Sequence, residues 1–122
     1  MGKKPAELKH SIKKYVEALE PEVKVEKVFL SGDYASGDPG PYSDIRLVVI
    51  SPSFDEIPAP ERIGVLGSVS AKVEPLIQAW GYTPRELDDL KEGRSYIPLL
   101  AMLLNESREV YSRRADAPQP RS

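Results

Sequence analysis

The sequence predicts a single domain in which helices and strands are mixed. Three observations carry this. Residues 5–19 repeat apolar side chains every three or four positions, the period of a half-buried helix. Residues 28–50 hold two apolar, β-prone runs separated by a stretch rich in glycine and proline. The length, 122 residues, is enough to bury a core without disulfides or a structural metal.

The first helix is expected from Pro5 to Leu19, with Leu8, Ile12, Tyr15, Val16 and Leu19 on its apolar face. Pro5 suits a first turn because its missing N–H would have no partner there, and Pro21 stops the helix. His10, the sole histidine, falls between Lys9 and Lys13 on the solvated face, where it lacks the positioned partner that acid–base work needs. Val23 and Val25 begin a first strand that runs to Leu30. Ser31-Gly32 ends it, and Asp38-Pro39-Gly40-Pro41 marks a turn before a second strand from Asp44 to Ile50. On that strand Asp44, Arg46, Val48 and Ile50 share one face, and Ile45, Leu47 and Val49 the other.

Ser51 to Pro60 reads as an exposed loop. A helix is expected from Glu61 to Val73 with Ile63, Leu66, Val69 and Val73 toward the core; Gly64 and Gly67 each weaken it by roughly 1 kcal/mol relative to alanine. Leu76 to Trp80 is a short third strand. Thr83-Pro84-Arg85-Glu86 carries an N-cap threonine, a first-turn proline and the glutamate of a capping box, opening a helix that ends near Gly93. Tyr96 to Leu104 forms a last helix and Glu109 to Tyr111 a last short strand. Residues 1–112 make the domain, and the polar tail 113–122, RRADAPQPRS, is expected to be disordered.

Seventeen Lys and Arg against nineteen Asp and Glu leave a formal charge of −2, so no global field draws the chain to nucleic acid or an anionic membrane. Arg113-Arg114 is too short to add such a signal. Without cysteine there is neither a disulfide framework nor a thiolate nucleophile, which fits a cytoplasmic protein. No run approaches the roughly 20 apolar residues of a membrane span, and the N-terminus has no signal-peptide core. Charged residues at 30% and the single Asn105 suit a thermophile.

The most informative stretch is Gly32-Asp33-Tyr34-Ala35-Ser36-Gly37, with ten residues separating Asp33 from Asp44 in Ser43-Asp44-Ile45-Arg46-Leu47. Gly32 lets backbone N–H groups approach a ligand because no Cβ intervenes. This frame resembles the signature of minimal nucleotidyltransferases, small members of the DNA polymerase beta superfamily, written GSYARG and then SDIDL. Gln78-Ala79-Trp80-Gly81-Tyr82-Thr83-Pro84 is similar to the family's third strand and following turn, and the likeness extends over roughly Lys9 to Tyr111. The resemblance implies an α+β fold, the nucleotidyltransferase fold: a small mixed or antiparallel sheet with helices packed mainly on one face.

It also implies a site, and this chain departs from that site. The family holds divalent ions with three carboxylates, two on the Asp-x-Asp strand and one on the next core strand, and cradles a triphosphate on the Gly-Ser turn. Here only Asp44 remains as a remnant metal ligand; Arg46 replaces the second acid and Gln78 the third. A fixed cation roughly 5 Å from a dication costs about 7 kcal/mol at an effective dielectric near 20, and half of that defeats weak magnesium binding. Of the nucleotide-binding positions Gly32, Asp33 and Ser43, Asp33 stands where the family has serine and would repel a triphosphate. Asp33 and Arg46 carry opposite charges, so a salt-bridged cluster of Asp33, Asp44 and Arg46 is expected in the cleft.

Tyr34, Tyr42 and Trp80 could stack a base but are more often core or rim residues, and Glu61, Asp88 and Asp89 are expected as solvated helix charges. The family commonly pairs with a HEPN-domain protein in toxin–antitoxin systems. The resemblance therefore implies a protein-binding module that has lost metal-dependent catalysis, an antitoxin-like partner of a HEPN-domain protein, with no cofactor and with self-association open. The alternative is an active enzyme that transfers AMP from ATP to a protein or small acceptor, with Mg2+ and ATP as cofactors. A third option is a small-molecule binder that reuses the cleft without metal.

Overall fold

The computed structural model describes residues 2–113. The chain opens with helix α1, Pro5–Leu19, the span its periodicity predicts. Tyr15 and Leu19 are fully buried on its inner face, and the Tyr15 hydroxyl donates to the Leu66 carbonyl at 2.9 Å. Val23 and Val25 are buried in the connection, but strand β1 begins only at Lys27 and ends at Ser31. A four-residue helix α2, Asp33–Ser36, follows Gly32 where only a turn is expected.

Strand β2 is Ile45–Ile50, and β3 is Ile77–Tyr82, two residues beyond its predicted end at Trp80. Strand β4, Arg108–Ser112, closes the sheet, whose order is β3-β2-β1-β4. Strand β1 runs antiparallel to both β2 and β4, whereas β2 and β3 are parallel. A parallel pair requires a crossover, and helix α3, Ala59–Val73, supplies it.

The stretch between β2 and α3 is not an exposed loop. Residues Pro52–Glu56 wind into a 3-10 turn capped by Ser51, and Phe54 is fully buried. Aromatic burial outweighs the proline-rich, polar character of its neighbours. The Phe54 ring lies so close to Gly81 that a Cβ there would meet it at 2.6 Å.

The α3 face also departs from expectation. Leu66 and Val69 are buried and Val73 packs against the core, but Ile63 is 60% exposed. Its neighbour Arg62 turns inward instead, at 8% exposure. Arg62 donates to the carbonyls of Ile57, Gly81 and Phe54 and to Glu86 Oε1 at 2.9 Å. A buried guanidinium is tolerable here because its fork of donors meets three carbonyls and a carboxylate.

Helix α4, Pro84–Lys91, starts at the predicted capping box: Thr83 Oγ1 accepts from the Glu86 amide and Glu86 Oε1 accepts from the Thr83 amide. Helix α5, Pro98–Leu104, begins at Pro98 rather than Tyr96, which stays exposed.

The two long helices cover one sheet face. Ile45, Leu47 and Val49 of β2 join Tyr15, Leu19, Leu66 and Val69 there in the larger core. The short helices α4 and α5 cover part of the other face, where Val48 and Ile50 meet Leu87, Leu100 and Leu103. Arg113 is tied back to the domain, donating to the Val25 carbonyl at 2.9 Å and pairing with Glu20. The tail 114–122 lies outside the described residues.

Candidate functional site

Strand register decides what the site contains. On the α4–α5 face of the sheet, side chains stand in rows across β1, β2 and β3. One row is Lys27, Ile50 and Tyr82; the next is Phe29, Val48 and Trp80. Helices α4 and α5 pack on these two rows. The third row is Ser31, Arg46 and Gln78, and there the helices stop. Arg46 and Gln78 are exposed at this end of the sheet, and Ser31 beside them is buried.

The three positions where the family resemblance places metal-holding acids therefore come together. Arg46 is the direct register partner of Gln78, and exposed Asp44 immediately precedes β2. The donor set does not suit a divalent ion: a guanidinium and a carboxamide stand beside a lone carboxylate. Among the described residues, no group of three His, Cys, Asp or Glu side chains has a metal-binding arrangement. The residues present do not fit a magnesium site of the family's kind.

The turn beside the row is built as the sequence requires. Gly32 has φ +74°, a conformation that disfavours any side chain. Its carbonyl accepts from Ala35 and Ser36, starting α2. The Arg46 side chain crosses directly over it: a Cβ on Gly32 would sit 3.0 Å from Arg46 Cδ and 3.6 Å from Nε. Arg46 thus occupies the approach to the backbone that a phosphate would need.

Asp33 does not join Arg46. Its Oδ2 accepts from the Ser43 hydroxyl at 3.0 Å, and Ser43 Oγ accepts from the Gly40 amide at 2.8 Å. These bonds pin the glycine-proline connector to the turn. The expected cluster of Asp33, Asp44 and Arg46 is absent: among the described residues, no ion pair involves any of them. The physical reason is exposure. All three are solvated, and an ion pair in water adds little beyond what hydration already supplies.

The aromatic candidates do not join this row. Tyr34 is buried in the larger core, and its hydroxyl accepts from the Lys3 amide at 2.9 Å. Trp80 packs in the row behind the floor, and Tyr42 is 91% exposed on the connector. His10, Glu61 and Asp88 are exposed or nearly so, whereas Asp89 is half-buried and pairs with Arg94 at 2.8 Å. Ser31, 4% exposed, completes the third row; its place two residues after Phe29 on an alternating strand is the signal that identifies it.

A family model described as the nucleotidyltransferase domain matches residues 11–100. Among solved structures, the fold is similar to that of a candidate nucleotidyltransferase from Sulfolobus solfataricus, with TM-score 0.63 and 18% identity over 93% of each chain. It is also similar to a chain of a toxin–antitoxin crystallised with AMP-PNP (TM-score 0.55, 16% identity, 88% of this chain and 76% of the other). A third is a chain of the tri-AMPylated Shewanella oneidensis HEPN toxin in complex with MNT antitoxin (TM-score 0.51, 14% identity, 91% and 75%). No curated protein matches the chain.

Proposed function

Because the chain belongs to the nucleotidyltransferase domain family, we propose that it has lost the family's metal-dependent transfer and works by binding a protein. The observation that carries this is the third row. Arg46 lies across the Gly32 turn and beside Gln78, so a cation and an amide stand where two carboxylates would draw in a dication. Coulomb repulsion from Arg46 and the missing anionic ligands act in the same direction.

The partner we propose is a HEPN-domain protein, with this chain in the antitoxin-like role. Support comes from the structures that share the fold, one of which is a HEPN toxin in complex with MNT antitoxin. The proposed setting is the cytoplasm. Among the described residues no helix is long and apolar enough to cross a membrane.

A direct experiment is co-expression of a tagged chain with the product of any neighbouring HEPN gene, for wild type and Asp44→Ala. The expected result is a stable complex with both, since the role requires no metal ligand. Recovery of the tagged chain alone from its native host would contradict the binding role.

A second reading is an active enzyme in which Arg46 clamps phosphate in place of one ion. The observation in its favour is that Arg46 is exposed and lacks an ion-pair partner among the described residues. Calorimetry with ATP and magnesium separates the two.

A further inference from the structure

Helix α5 is apolar on every side. Its seven residues, Pro-Leu-Leu-Ala-Met-Leu-Leu, include no polar or charged side chain. Leu100 and Leu103 turn to the sheet and pack with Val48 and Ile50. That accounts for one face only. On the other, Leu99 and Met102 stand about one turn apart at 39% and 61% exposure, and Tyr96, three residues before Leu99, is 73% exposed. A helix that is apolar all round belongs in a fully covered position, and this stripe is left open among the described residues.

The stripe has charges of opposite sign at its two ends. Arg94 precedes it. Arg94 Nε donates to Asp89 Oδ1 at 2.8 Å and Nη1 meets Glu92 Oε2 at 3.0 Å, which leaves Nη2 without a bond among the described residues. Glu106 follows the stripe, exposed and with no ion-pair partner among the described residues. A two-fold axis sets the residues nearest it against their own copies, so a charge there would repel itself; α5 has none. Further out, antiparallel packing brings the Arg94 end of one stripe to the Glu106 end of the other, whereas parallel packing sets like charges together. Pairing Tyr96 with a second copy's Met102, and Arg94 with its Glu106, gives sequence midpoints at Leu99 and Leu100. The apolar and the charged pairings therefore agree on one pivot.

We propose that α5 docks on α5 of a second copy of this chain, antiparallel about a two-fold axis at Leu99. Leu99 meets its own copy, Tyr96 packs on the second copy's Met102, and Arg94 reaches the second copy's Glu106. Three partly exposed side chains offer less than the roughly 800 Å2 per partner of a standard interface, so the dimer is a weak one, with a dissociation constant on the order of 10–100 μM. The proposal is separate from the HEPN-binding role, since it needs neither another protein nor the Arg46 row.

The test combines sedimentation equilibrium of the full chain with cross-linking of single-cysteine variants, which report cleanly because the chain has no cysteine. Wild type should show a monomer–dimer equilibrium. Met102→Asp changes an exposed side chain, so its melting temperature should stay close to wild type while the dimer weakens at least about tenfold. Glu106→Arg should also weaken the dimer, and more so at low salt. With a short bis-maleimide, Leu99→Cys should cross-link several-fold faster than Tyr96→Cys or Ile63→Cys, because only position 99 meets its own copy.

A chain that stays monomeric up to about 1 mM overturns the proposal. So does a dimer that Met102→Asp leaves intact, or a Leu99→Cys variant that cross-links no faster than Ile63→Cys. A thiol at position 99 that is open in the free chain and shielded only when a HEPN protein is bound overturns it as well, because the occupant is then a different protein.

Discussion

The Arg46 side chain lies against Gly32 so closely that a β-carbon on Gly32 would fall 3.0 Å from Arg46 Cδ. One lies on β2 and the other directly follows the end of β1, beside Arg46's register partner Ser31. Gly32→Ala should therefore cost stability twice, from the positive φ and from the contact.

Arg46→Ala removes the contact but not the backbone strain. Denaturant unfolding of both single variants and the double should give a coupling of about 0.5–1 kcal/mol. Strict additivity would mean that Arg46 does not lie over the turn in solution.

Arg62 joins four parts of the chain, bonding to Ile57, Phe54, Gly81 and Glu86. Arg62→Ala removes a donor from three backbone carbonyls, of which that of Phe54 keeps the Ile57 amide, and from a carboxylate that also caps α4. The expected cost is about 3 kcal/mol, a fall in melting temperature on the order of 10 °C. Lysine should recover little of it, because a point charge cannot reproduce the planar fork. Calorimetric melting of both variants is the check, and a change under about 1 kcal/mol for alanine would show the contacts to be dispensable.

Alkaline stability follows from two tyrosines. Burial pushes the Tyr15 phenol above the ordinary value of 10.0, and the Ser70 hydroxyl offsets part of this. Tyr82 is raised first by burial and then by the Glu86 carboxylate, with Arg62 opposing. Below about pH 10 both states hold these protons and stability is independent of them. As pH rises from about 10 toward the folded-state values, the unfolded chain releases protons that the folded chain retains, so stability falls. Tyr15→Phe should lose about 1 kcal/mol at about pH 8 with its bond to Leu66, yet show a shallower decline above about pH 10. Urea unfolding between about pH 8 and 11 measures both, and an unchanged slope would contradict the assignment.

Much of this fold is legible in the sequence because its strongest signals are local. The 3.6-residue period of α1, the buried apolar run of β2 and the Thr83–Glu86 capping box each act within a few residues, and each forms where expected. Misses arise where distant contacts override local character. Phe54 is drawn into the core from a proline-rich segment by Gly81, whose missing side chain makes room for the ring. Arg62 displaces Ile63 from the inner face of α3 because three backbone carbonyls converge on it.

At the site, the family resemblance implies that Gly32, Asp44, Arg46 and Gln78 gather at one end of the sheet. The direct pairing of Arg46 with Gln78 agrees with that. What spacing does not reveal is where a flexible side chain points. Opposite charges on Asp33 and Arg46 suggest a bridge, but Asp33 accepts from Ser43 while Arg46 spreads over glycine.

The proposed loss of metal-dependent transfer depends on Arg46 and Gln78 keeping a divalent cation away from Asp44. Isothermal titration calorimetry with ATP and magnesium, on wild type and on the Asp33→Ser/Arg46→Asp/Gln78→Asp chain, probes that repulsion itself. Wild type should give no magnesium-dependent heat, and the triple variant should bind saturably. Magnesium-dependent ATP binding by wild type that Asp44→Ala abolishes would contradict that repulsion and restore the site to working order.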